Sequence, residues 1–375
     1  MEKLRLSCPC LFGLESVLAG EVKRMGGLQV EAQDGKVNFS GGWEMVARAN
    51  LCLRTAERVL IELGSFEARS FEELFQGVKA LPLEEFIGMK DAFPVKGWSL
   101  NSKLMSIPDC QSIIKKAAVE RLRQTYGVSW FEESGPVRQI QFSIRKDQVC
   151  IFLDTSGAGL HKRGYRKTST LAPIKETLAA GILDLARVRK DTVLMDPFCG
   201  SGTFSIEGAL KAFQIPPGIH RRFAAEKWDC MPEAVWKDER ARGLAGIRRD
   251  AAFEAYASDI DPGAVELTRE NAKKAGVAPR IRVKQADIRD FSCTRENAVV
   301  VCNPPYGERL LEIREAQELY KIMGKQFDLF SSQSFYIISP DEKFETLFGA
   351  KAAKRRKLYN GMIKCQLYMY YSTNR

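Results

Sequence analysis

Four consecutive residues near the C-terminus combine groups that could act on an amine. Asn303-Pro304-Pro305-Tyr306 follows the apolar run 298–302, which predicts a buried strand. The amide oxygen of Asn303 and the carbonyl oxygen of Pro304 could each accept one N–H of a nucleobase exocyclic amine. Accepting both hydrogens stabilises the positive charge that develops on nitrogen, and Tyr306 offers a ring for the base to stack on. The tetrapeptide therefore indicates methyl transfer to such an amine.

A purely structural interpretation of the same residues is also available. Two prolines often close a turn after a buried strand, with an asparagine as a local cap and a tyrosine as packing. Since short motifs also arise by chance, Asn303-Pro304-Pro305-Tyr306 needs a second signal before its chemistry is assigned.

That second signal is a glycine-rich turn within residues 192–204, which read TVLMDPFCGSGTF. A β-branched run ends at Asp196, two glycines follow at Gly200 and Gly202, and an apolar helical pattern then runs through Ile206, Ala209, Leu210 and Phe213. Glycines at such a turn let the backbone approach a cofactor, and the helix N-terminus presents free N–H groups. The third glycine of the dinucleotide motif and the Gly-Lys-Ser/Thr of a P-loop do not follow, so NAD and ATP are disfavoured.

The elements around these motifs predict an α/β fold. Residues 214–250 look like a helical insertion, with aromatic anchors at Phe223, Trp228 and Trp236. After it, alternating strands and helices resume, and Asn360-Gly361 predicts a hairpin near the C-terminus. The most economical architecture is a mostly parallel, Rossmann-like sheet that ends in an antiparallel hairpin.

Polar residues follow four of the predicted strands in this half of the chain. They are Asp196, Asp259, Asp287 and Asn303. Ligands of open α/β sheets bind where the strands end, so these side chains are expected around one site. Asp259 and Asp287 could alternatively cap the helices that follow them.

The motifs together carry a family resemblance. DPFCGSGTF, SDID, ADIRDF and NPPYGER, in this order and spacing, resemble motifs I to IV of class I S-adenosylmethionine-dependent methyltransferases acting on amino groups. Residues 8–15 (CPCLFGLE), 160–166 (LHKRGYR) and 172–180 (APIKETLAA) resemble the opening, linker and first catalytic helix of bacterial THUMP-domain RNA methyltransferases. The best-known members of that family make N2-methylguanosine in 23S rRNA, and relatives modify tRNA.

The resemblance implies a domain order, a cofactor and a set of site residues. A ferredoxin-like segment over 1–55, a THUMP RNA-binding domain over 56–155, a basic linker over 156–170 and a methyltransferase domain over 171–375 are expected. The cofactor would be S-adenosylmethionine, leaving S-adenosylhomocysteine as product. The cofactor-binding residues would be Asp196, Phe198, Gly200, Gly202, Thr203, Asp259, Ile260, Asp287, Ile288 and Asn303. Gly200 and Gly202 would lie near the methionine part, Asp259 at the ribose hydroxyls and Asp287 near the adenine amine.

Charge predicts a nucleic-acid partner. The net charge of +10 is spread over several clusters, among them 162–167 and Lys354-Arg355-Arg356-Lys357. A single cluster usually marks a solvated face, but several clusters beside a base-methylation motif favour RNA. The linker is the preferred contact because it joins the two halves of the chain. Its predicted RNA-binding residues are Lys162, Arg163, Tyr165, Arg166 and Lys167.

The composition limits the classes of protein to which the chain can belong. With 375 residues, 45% of them hydrophobic, the chain can bury two or three cores, and no apolar run or leader predicts a membrane span or a signal peptide. Ten scattered cysteines fit a reduced cytoplasm better than a disulfide framework. Cys8 and Cys10 have no second pair at zinc-ribbon spacing, and neither of the two histidines lies in a metal motif, so no metal is expected.

Three functions stay open at this point. The first is methylation of guanine N2 in RNA, with 23S rRNA ahead of tRNA. The second is methylation of adenine N6 in RNA or DNA, because both bases carry an exocyclic amine. The third is a catalytically silent RNA-binding protein, which the complete motif set disfavours. The nucleotide, the oligomeric state and the choice between free RNA and an assembled ribosomal particle do not follow from the sequence.

Overall fold

Two seven-stranded sheets form the framework of the protein. The computed structural model describes residues 3–166, 173–293, 295–307, 310–327, 329 and 332–372. The N-terminal half, predicted as ferredoxin-like and THUMP domains of α+β type, builds the first sheet, and the C-terminal half, predicted as a Rossmann-like α/β domain, builds the second. The predicted fold class is therefore confirmed.

The N-terminal sheet is mainly antiparallel. Its strands are β1 (Leu4–Pro9), β2 (Leu28–Gln33), β3 (Lys36–Gly41), β4 (Leu60–Glu67), β5 (Val95–Leu100), β6 (Ile140–Arg145) and β7 (Gln148–Asp154), in the order β2-β3-β1-β4-β7-β6-β5. Its helices are α1 (Glu15–Arg24), α2 (Trp43–Cys52), α3 (Phe71–Lys79) and α4 (Ile107–Tyr126). Because β1 pairs with β4, the segments predicted as ferredoxin-like and THUMP domains share one continuous sheet.

The C-terminal sheet is parallel over five strands and ends in the predicted hairpin. Its strands are β8 (Val193–Asp196), β9 (Glu254–Asp259), β10 (Ile281–Gln285), β11 (Val299–Cys302), β12 (Ser334–Ser339), β13 (Lys354–Asn360) and β14 (Ile363–Tyr370), in the order β10-β9-β8-β11-β12-β14-β13. Its helices are α5 (Glu176–Leu185), α6 (Thr203–Ala212), α7 (Glu233–Ala245), α8 (Pro262–Lys274), α9 (Leu310–Gln326) and α10 (Phe344–Phe348). The continuous apolar sequence of β11 reflects its central position, where both faces are buried.

The turn of the predicted hairpin shifts by one residue in the structure. In the C-terminal hairpin, Asn360 pairs with Ile363, so the turn consists of Gly361 and Met362 rather than of Asn360-Gly361. Gly361 has a φ of +64°, in the left-handed region that primed hairpin turns require and that glycine adopts without strain.

The insertion at 214–250 belongs physically to the N-terminal half. Its three aromatic anchors, Phe223, Trp228 and Trp236, are buried in the hydrophobic core of the first sheet, and Phe223 stacks on Trp236 with ring centroids 5.4 Å apart. On α7, Glu239 receives two hydrogen bonds from the Arg48 guanidinium of α2, at 2.9 and 2.6 Å. The insertion therefore fixes the two halves of the chain to each other.

Among the helices in the described ranges, none is long and apolar enough to cross a membrane.

Candidate functional site

A cavity of about 840 Å³ opens at the carboxyl edge of the parallel strands. Residues that follow β8, β9, β10 and β11 line it together, as expected for a ligand site of an open α/β sheet. The predicted residues that line it are Asp196, Phe198, Gly200, Thr203, Asp259, Ile260, Asp287, Ile288, Asn303, Pro304, Pro305 and Tyr306. Two motifs more than 100 positions apart in sequence thus face one space.

The glycine turn is fixed by the neighbouring strand. The Gly200 N–H donates to Oδ2 of Asp259 at 2.9 Å, and the Cys199 N–H donates to the Ser258 carbonyl at 2.9 Å. Gly200 has a φ of +52°, which places its backbone in the left-handed region. The turn that predicts cofactor binding is therefore tied to the acidic residue predicted to hold the ribose.

Gly202 has a structural role and does not line the cavity. It is the N-cap of α6 with a φ of +80°, and a Cβ at this position would come within 2.7 Å of the Thr268 side chain on α8. Glycine is needed here because the backbone conformation and the close approach of α8 both exclude a side chain. Any contact of Gly202 with a cofactor stays a prediction.

The two acidic residues at the ends of β8 and β9 differ in environment. Asp196 is buried and accepts the Phe198 N–H at 3.2 Å; burial raises the pKa of its carboxyl well above the usual value, and the nearby Asp259 adds to this. Asp259 accepts the Asp261 N–H at 3.1 Å besides that of Gly200. The helix-cap alternative does not hold for Asp259, because the cap of α8 is Asp261, which accepts the Gly263 N–H at 2.8 Å.

Asp287, in contrast, acts as a cap. Its carboxylate accepts the Arg289 N–H at 2.8 Å and the Arg289 guanidinium at 2.7 Å, at the start of the short 3-10 helix Ile288–Asp290. The backbone hydrogen bond is the main cause of the lowered pKa of Asp287, with the guanidinium contributing further. Asp287 and the buried Ile288 both line the cavity, so the capping role and the predicted adenine contact share one location.

The loop after β11 carries the predicted catalytic residues. The Tyr306 hydroxyl donates to the amide oxygen of Asn303, and burial raises the pKa of this hydroxyl well above its usual value, so it stays protonated. The buried Tyr320 of α9 donates its hydroxyl to the Pro305 carbonyl at 3.0 Å. The loop is therefore held by contacts from within and from α9.

Three residues that the sequence analysis did not assign to the site support this loop. They are Tyr320 and, on the C-terminal hairpin, Asn360 and Cys365. The Asn360 amide donates to the Tyr306 hydroxyl at 3.4 Å, and the Cys365 sulfur lies 3.8 Å from it. Asn360 was identified only as a turn former, and no pattern along the sequence connects it with Tyr306. The helical spacing of Tyr320 with the buried Ala316 and Met323 was the available signal for its inward orientation.

The linker does not present the predicted RNA-binding surface. Arg163 and Tyr165 are buried: the guanidinium pairs with Glu207 of α6 at 3.3 Å, and the Tyr165 hydroxyl donates to the same carboxylate at 3.1 Å. Arg166 is held within the protein by Thr203 at 3.0 Å and Glu176 at 3.1 Å.

The prediction of an RNA contact is therefore wrong for Arg163 and Tyr165, which join the linker to the helix behind the glycine turn. The internal contacts of Arg166 all involve one nitrogen of its guanidinium, Nη2, and an RNA contact of Arg166 stays a prediction. Lys162 is exposed and its RNA contact stays a prediction, whereas Lys167 lies outside the described residues.

The cysteines and acidic groups form no metal centre within the described ranges, where no three His, Cys, Asp or Glu side chains are grouped as ligands. All ten cysteines are free. Burial raises the pKa of the Cys10 thiol to about 12 and that of Cys8 well above its usual value, so both behave as protonated core residues.

The parallel sheet, its glycine turn and the Asn303 loop at one edge define a class I methyltransferase domain. The sequence profile of the RMKL-like methyltransferase domain matches residues 163–369, that of the RlmL ferredoxin-like domain residues 5–60, and that of the THUMP domain residues 68–154. The chain belongs to this family of THUMP-containing, RMKL-like methyltransferases, which confirms the resemblance seen in its motifs.

Two relatives illustrate the match in sequence. YpsC of Bacillus subtilis (strain 168), provisionally named an RNA methyltransferase, is 43% identical over 374 residues, covering 99% of this chain and 97% of YpsC. Ribosomal RNA large subunit methyltransferase K/L of Syntrophotalea carbinolica is 32% identical and covers 95% of this chain. The alignment covers only 52% of that K/L protein, so the chain spans about half its length.

Solved structures show the same arrangement over the whole chain. SMU.472, crystallised in complex with SAH, superposes with a TM-score of 0.93 at 40% identity and covers 100% of this chain and 99% of its own. A Listeria monocytogenes protein described as a predicted N6-adenine-specific DNA methylase superposes with a TM-score of 0.93 at 42% identity and covers 99% and 97%.

Proposed function

We propose that the protein transfers a methyl group from S-adenosylmethionine to the exocyclic amine of a nucleobase in RNA, at N2 of a guanine in 23S rRNA. One observation carries the proposal. Asn303, which would act on the amine, and the glycine turn, which would bind the cofactor, line the same cavity. The THUMP domain and the K/L and YpsC relatives, whose names specify RNA, support RNA as the substrate.

The amide of Asn303 is the group that acts on the amine. In the structure its oxygen accepts the Tyr306 hydroxyl, and its second lone pair can accept an N–H of the nucleobase. The second N–H would go to the carbonyl of Pro304, which follows directly in the loop. With both hydrogens bonded, the nitrogen lone pair is directed at the incoming methyl group and the developing positive charge is stabilised.

The cavity residues fit the proposed cofactor, which supplies an activated methyl group as a sulfonium when bound. Residues at the Gly200 turn would approach its methionine part, Asp259 would accept from its ribose hydroxyls, and Asp287 would lie near its adenine amine. The carboxylates of Asp259 and Asp287 accept hydrogen bonds from backbone amides, and both line the cavity. The solved SAH complex of SMU.472 supports this choice of cofactor.

Replacing Asp259 with alanine should weaken binding of S-adenosylmethionine by about 10-fold to 100-fold, as expected for the loss of a hydrogen bond to a charged group. Isothermal calorimetry measures the change directly. Asp259→Asn, which keeps an acceptor for the Gly200 N–H, should fall between the parent and the alanine variant. Asp191→Ala, an exposed position before β8 at the opposite edge of the sheet, is the matched control. Equal affinity of Asp259→Ala and the parent would refute the ribose assignment.

The ring of Tyr306 is expected to matter more than its hydroxyl. Tyr306→Ala should reduce catalytic efficiency by roughly 1–3 kcal/mol through lost stacking, whereas Tyr306→Phe should keep most of the activity. The hydroxyl donates to the Asn303 oxygen in the structure, and without this hydroxyl the oxygen can still accept an N–H of the base. Steady-state kinetics on the same RNA compares both variants with the parent. Equal losses in the two variants would assign the effect to the hydroxyl.

The identity of the base can be decided by nucleoside mass spectrometry. The 23S rRNA of a strain that lacks the protein should contain less N2-methylguanosine than that of the parent strain, and the purified protein should restore the missing amount. Loss of N6-methyladenosine instead would favour the alternative, which the description of the Listeria structure as a DNA methylase also raises. Binding of RNA without any methyl transfer would favour a silent binding protein. The proposed reaction takes place in the cytoplasm, where the free cysteines stay reduced.

A further inference from the structure

The C-terminal hairpin carries basic and aromatic side chains on one face. In the β13–β14 register Tyr359 lies opposite Lys364, and Lys357 lies two residues before Tyr359. Side chains two apart on a strand, and those directly opposite on its partner, point to the same face. Phe12, from the loop between β1 and α1, meets Tyr359 edge to face with ring centroids 6.2 Å apart. We call Phe12, Lys357, Tyr359 and Lys364 the hairpin surface.

This surface adjoins the cavity through the same hairpin. The opposite face carries Asn360, whose amide donates to the Tyr306 hydroxyl. Ile363, beside the turn, lines the cavity itself, and Met362 at the tip is 97% exposed. Because Ile363 and Lys364 are neighbours in the chain, the cavity lining and the hairpin surface adjoin at the tip of the hairpin.

The hairpin surface combines positively charged side chains with aromatic rings. Phe12 is 56% exposed, and the ammonium of Lys357 lies 5.4 Å from the centroid of the Tyr359 ring. Among the described residues, neither Lys357 nor Lys364 has a carboxylate partner within ion-pair distance. Glu15, the acidic side chain near Phe12 in the chain, is occupied by the backbone amides of Gly13 at 2.9 Å and Gly35 at 3.1 Å.

We infer that the hairpin surface binds the single-stranded RNA next to the target nucleotide. Phe12 and Tyr359 provide faces on which unpaired bases stack, and Lys357 and Lys364 neutralise phosphates, the combination that sequence-tolerant single-strand binders use. A nucleotide whose base enters the cavity must leave its stack, so its neighbours need a new surface to hold them. This inference rests on the proposed function and assigns to the hairpin the role that the buried linker residues cannot fill.

RNA is favoured over a protein partner by the pairing of aromatic rings with lysines that lack carboxylate partners. A protein docked on Phe12 and Tyr359 would have to desolvate Lys357 and Lys364 or supply acidic groups to them. A polyanion with exposed base faces satisfies both kinds of side chain at once.

The test compares two pairs of substitutions with matched controls. Phe12→Ala with Tyr359→Ala removes the rings, and Lys357→Gln with Lys364→Gln removes the charges. The aromatic control is Tyr371→Ala, 41% exposed directly after β14, at the end of the hairpin away from its tip and outside the THUMP domain. The charge control is Lys190→Gln with Lys284→Gln, two exposed positions, one before β8 and the other on β10, the edge strand farthest from β13. Tyr359→Phe should behave as the parent.

Binding is measured by fluorescence anisotropy with a labelled single-stranded RNA of about 12 nucleotides, within the site sizes of single-strand binders. The ring variant should raise Kd by between about 5-fold and 150-fold, the range of one stacked base. The lysine variant should flatten the log-log salt dependence by about 1.4, the sum of two phosphate contacts. Both variants should keep the parent's affinity for S-adenosylmethionine and its melting temperature, and both controls should bind RNA as the parent does.

Two results would overturn the inference, and they can be told apart. If the parent methylates 23S rRNA from the deletion strain but both hairpin variants bind and methylate RNA as well as the parent, the hairpin surface is not an RNA contact and the proposed function stands. If the parent binds cofactor but neither binds nor methylates RNA, the proposed function fails and the inference fails with it. A protein that is captured only by the parent's hairpin surface, with RNA binding unchanged in the variants, would likewise reject RNA as the occupant.

Discussion

Replacing Asn303 with alanine should lower kcat for methyl transfer by at least about 100-fold, with the affinity for S-adenosylmethionine nearly unchanged. Removing one preorganised hydrogen-bonding group that stabilises transition-state charge costs about 10²-fold to 10³-fold in related chemistry. The Asn303 side chain lines the cavity after β11, and its oxygen bonds within its own loop and not to the glycine turn. The loss should therefore fall on the reaction and not on the cofactor.

Single-turnover kinetics and calorimetry on the same preparation separate these two effects. Asn303→Asp keeps an oxygen that can accept an N–H and should retain more activity than the alanine variant. A kcat for Asn303→Ala within 10-fold of the parent would contradict the role of the amide. A parallel loss of cofactor affinity would show that Asn303 supports the cavity as a whole.

Replacing Glu207 with alanine should lower the free energy of unfolding by about 3–5 kcal/mol. The Glu207 side chain is fully buried and pairs with the Arg163 guanidinium, which is also buried, and it accepts the Tyr165 hydroxyl. Burial alone would lower the pKa of Arg163, but the Glu207 carboxylate reverses this and leaves the pKa raised. Without Glu207, a buried cation and a buried hydroxyl lose their main partner at the joint between the two halves of the protein.

Urea denaturation followed by tryptophan fluorescence measures this loss. Glu207→Gln, which can still accept from Tyr165, should destabilise less than alanine. The control is Glu266→Ala, whose partner Arg269 lies 3.2 Å away on the exposed face of α8, and whose removal should cost under about 1 kcal/mol. A change below about 1 kcal/mol for Glu207→Ala would mean that the ion pair contributes no more than a surface pair.

The site residues could be predicted from the sequence where a polar side chain stands at the end of a predicted strand. Asp196, Asp259, Asp287 and Asn303 each stand at or just after the end of a predicted strand, and the topology of a parallel sheet brings such positions to one edge. The helix from Pro262 to Lys274 has both a proline at its first position and a glycine after its end, so its bounds could be predicted as well.

Contacts between distant segments were not predictable in the same way. A basic residue in a linker looks exposed unless its acidic partner is known, and Glu207 lies 44 positions after Arg163 within an apolar helix. An acidic residue in the middle of such a helix was the one available clue to a buried pair. The hydrogen bond between Tyr306 and Asn303 could not be predicted for another reason. The orientation of Tyr306 in its loop depends on the C-terminal hairpin, which packs beside it through Asn360.

The packing of the insertion into the first sheet also constrains how the protein is synthesised. The last strand of that sheet ends at Asp154, but its core is completed by Phe223, Trp228 and Trp236, which the ribosome adds later. Translation reaches the end of α7 about 90 residues after Asp154, which at about 5–20 residues per second takes roughly 5–20 s. During this interval the apolar surface that receives the three rings is uncovered. We expect the nascent N-terminal half to bind ribosome-associated chaperones until Trp236 emerges from the exit tunnel.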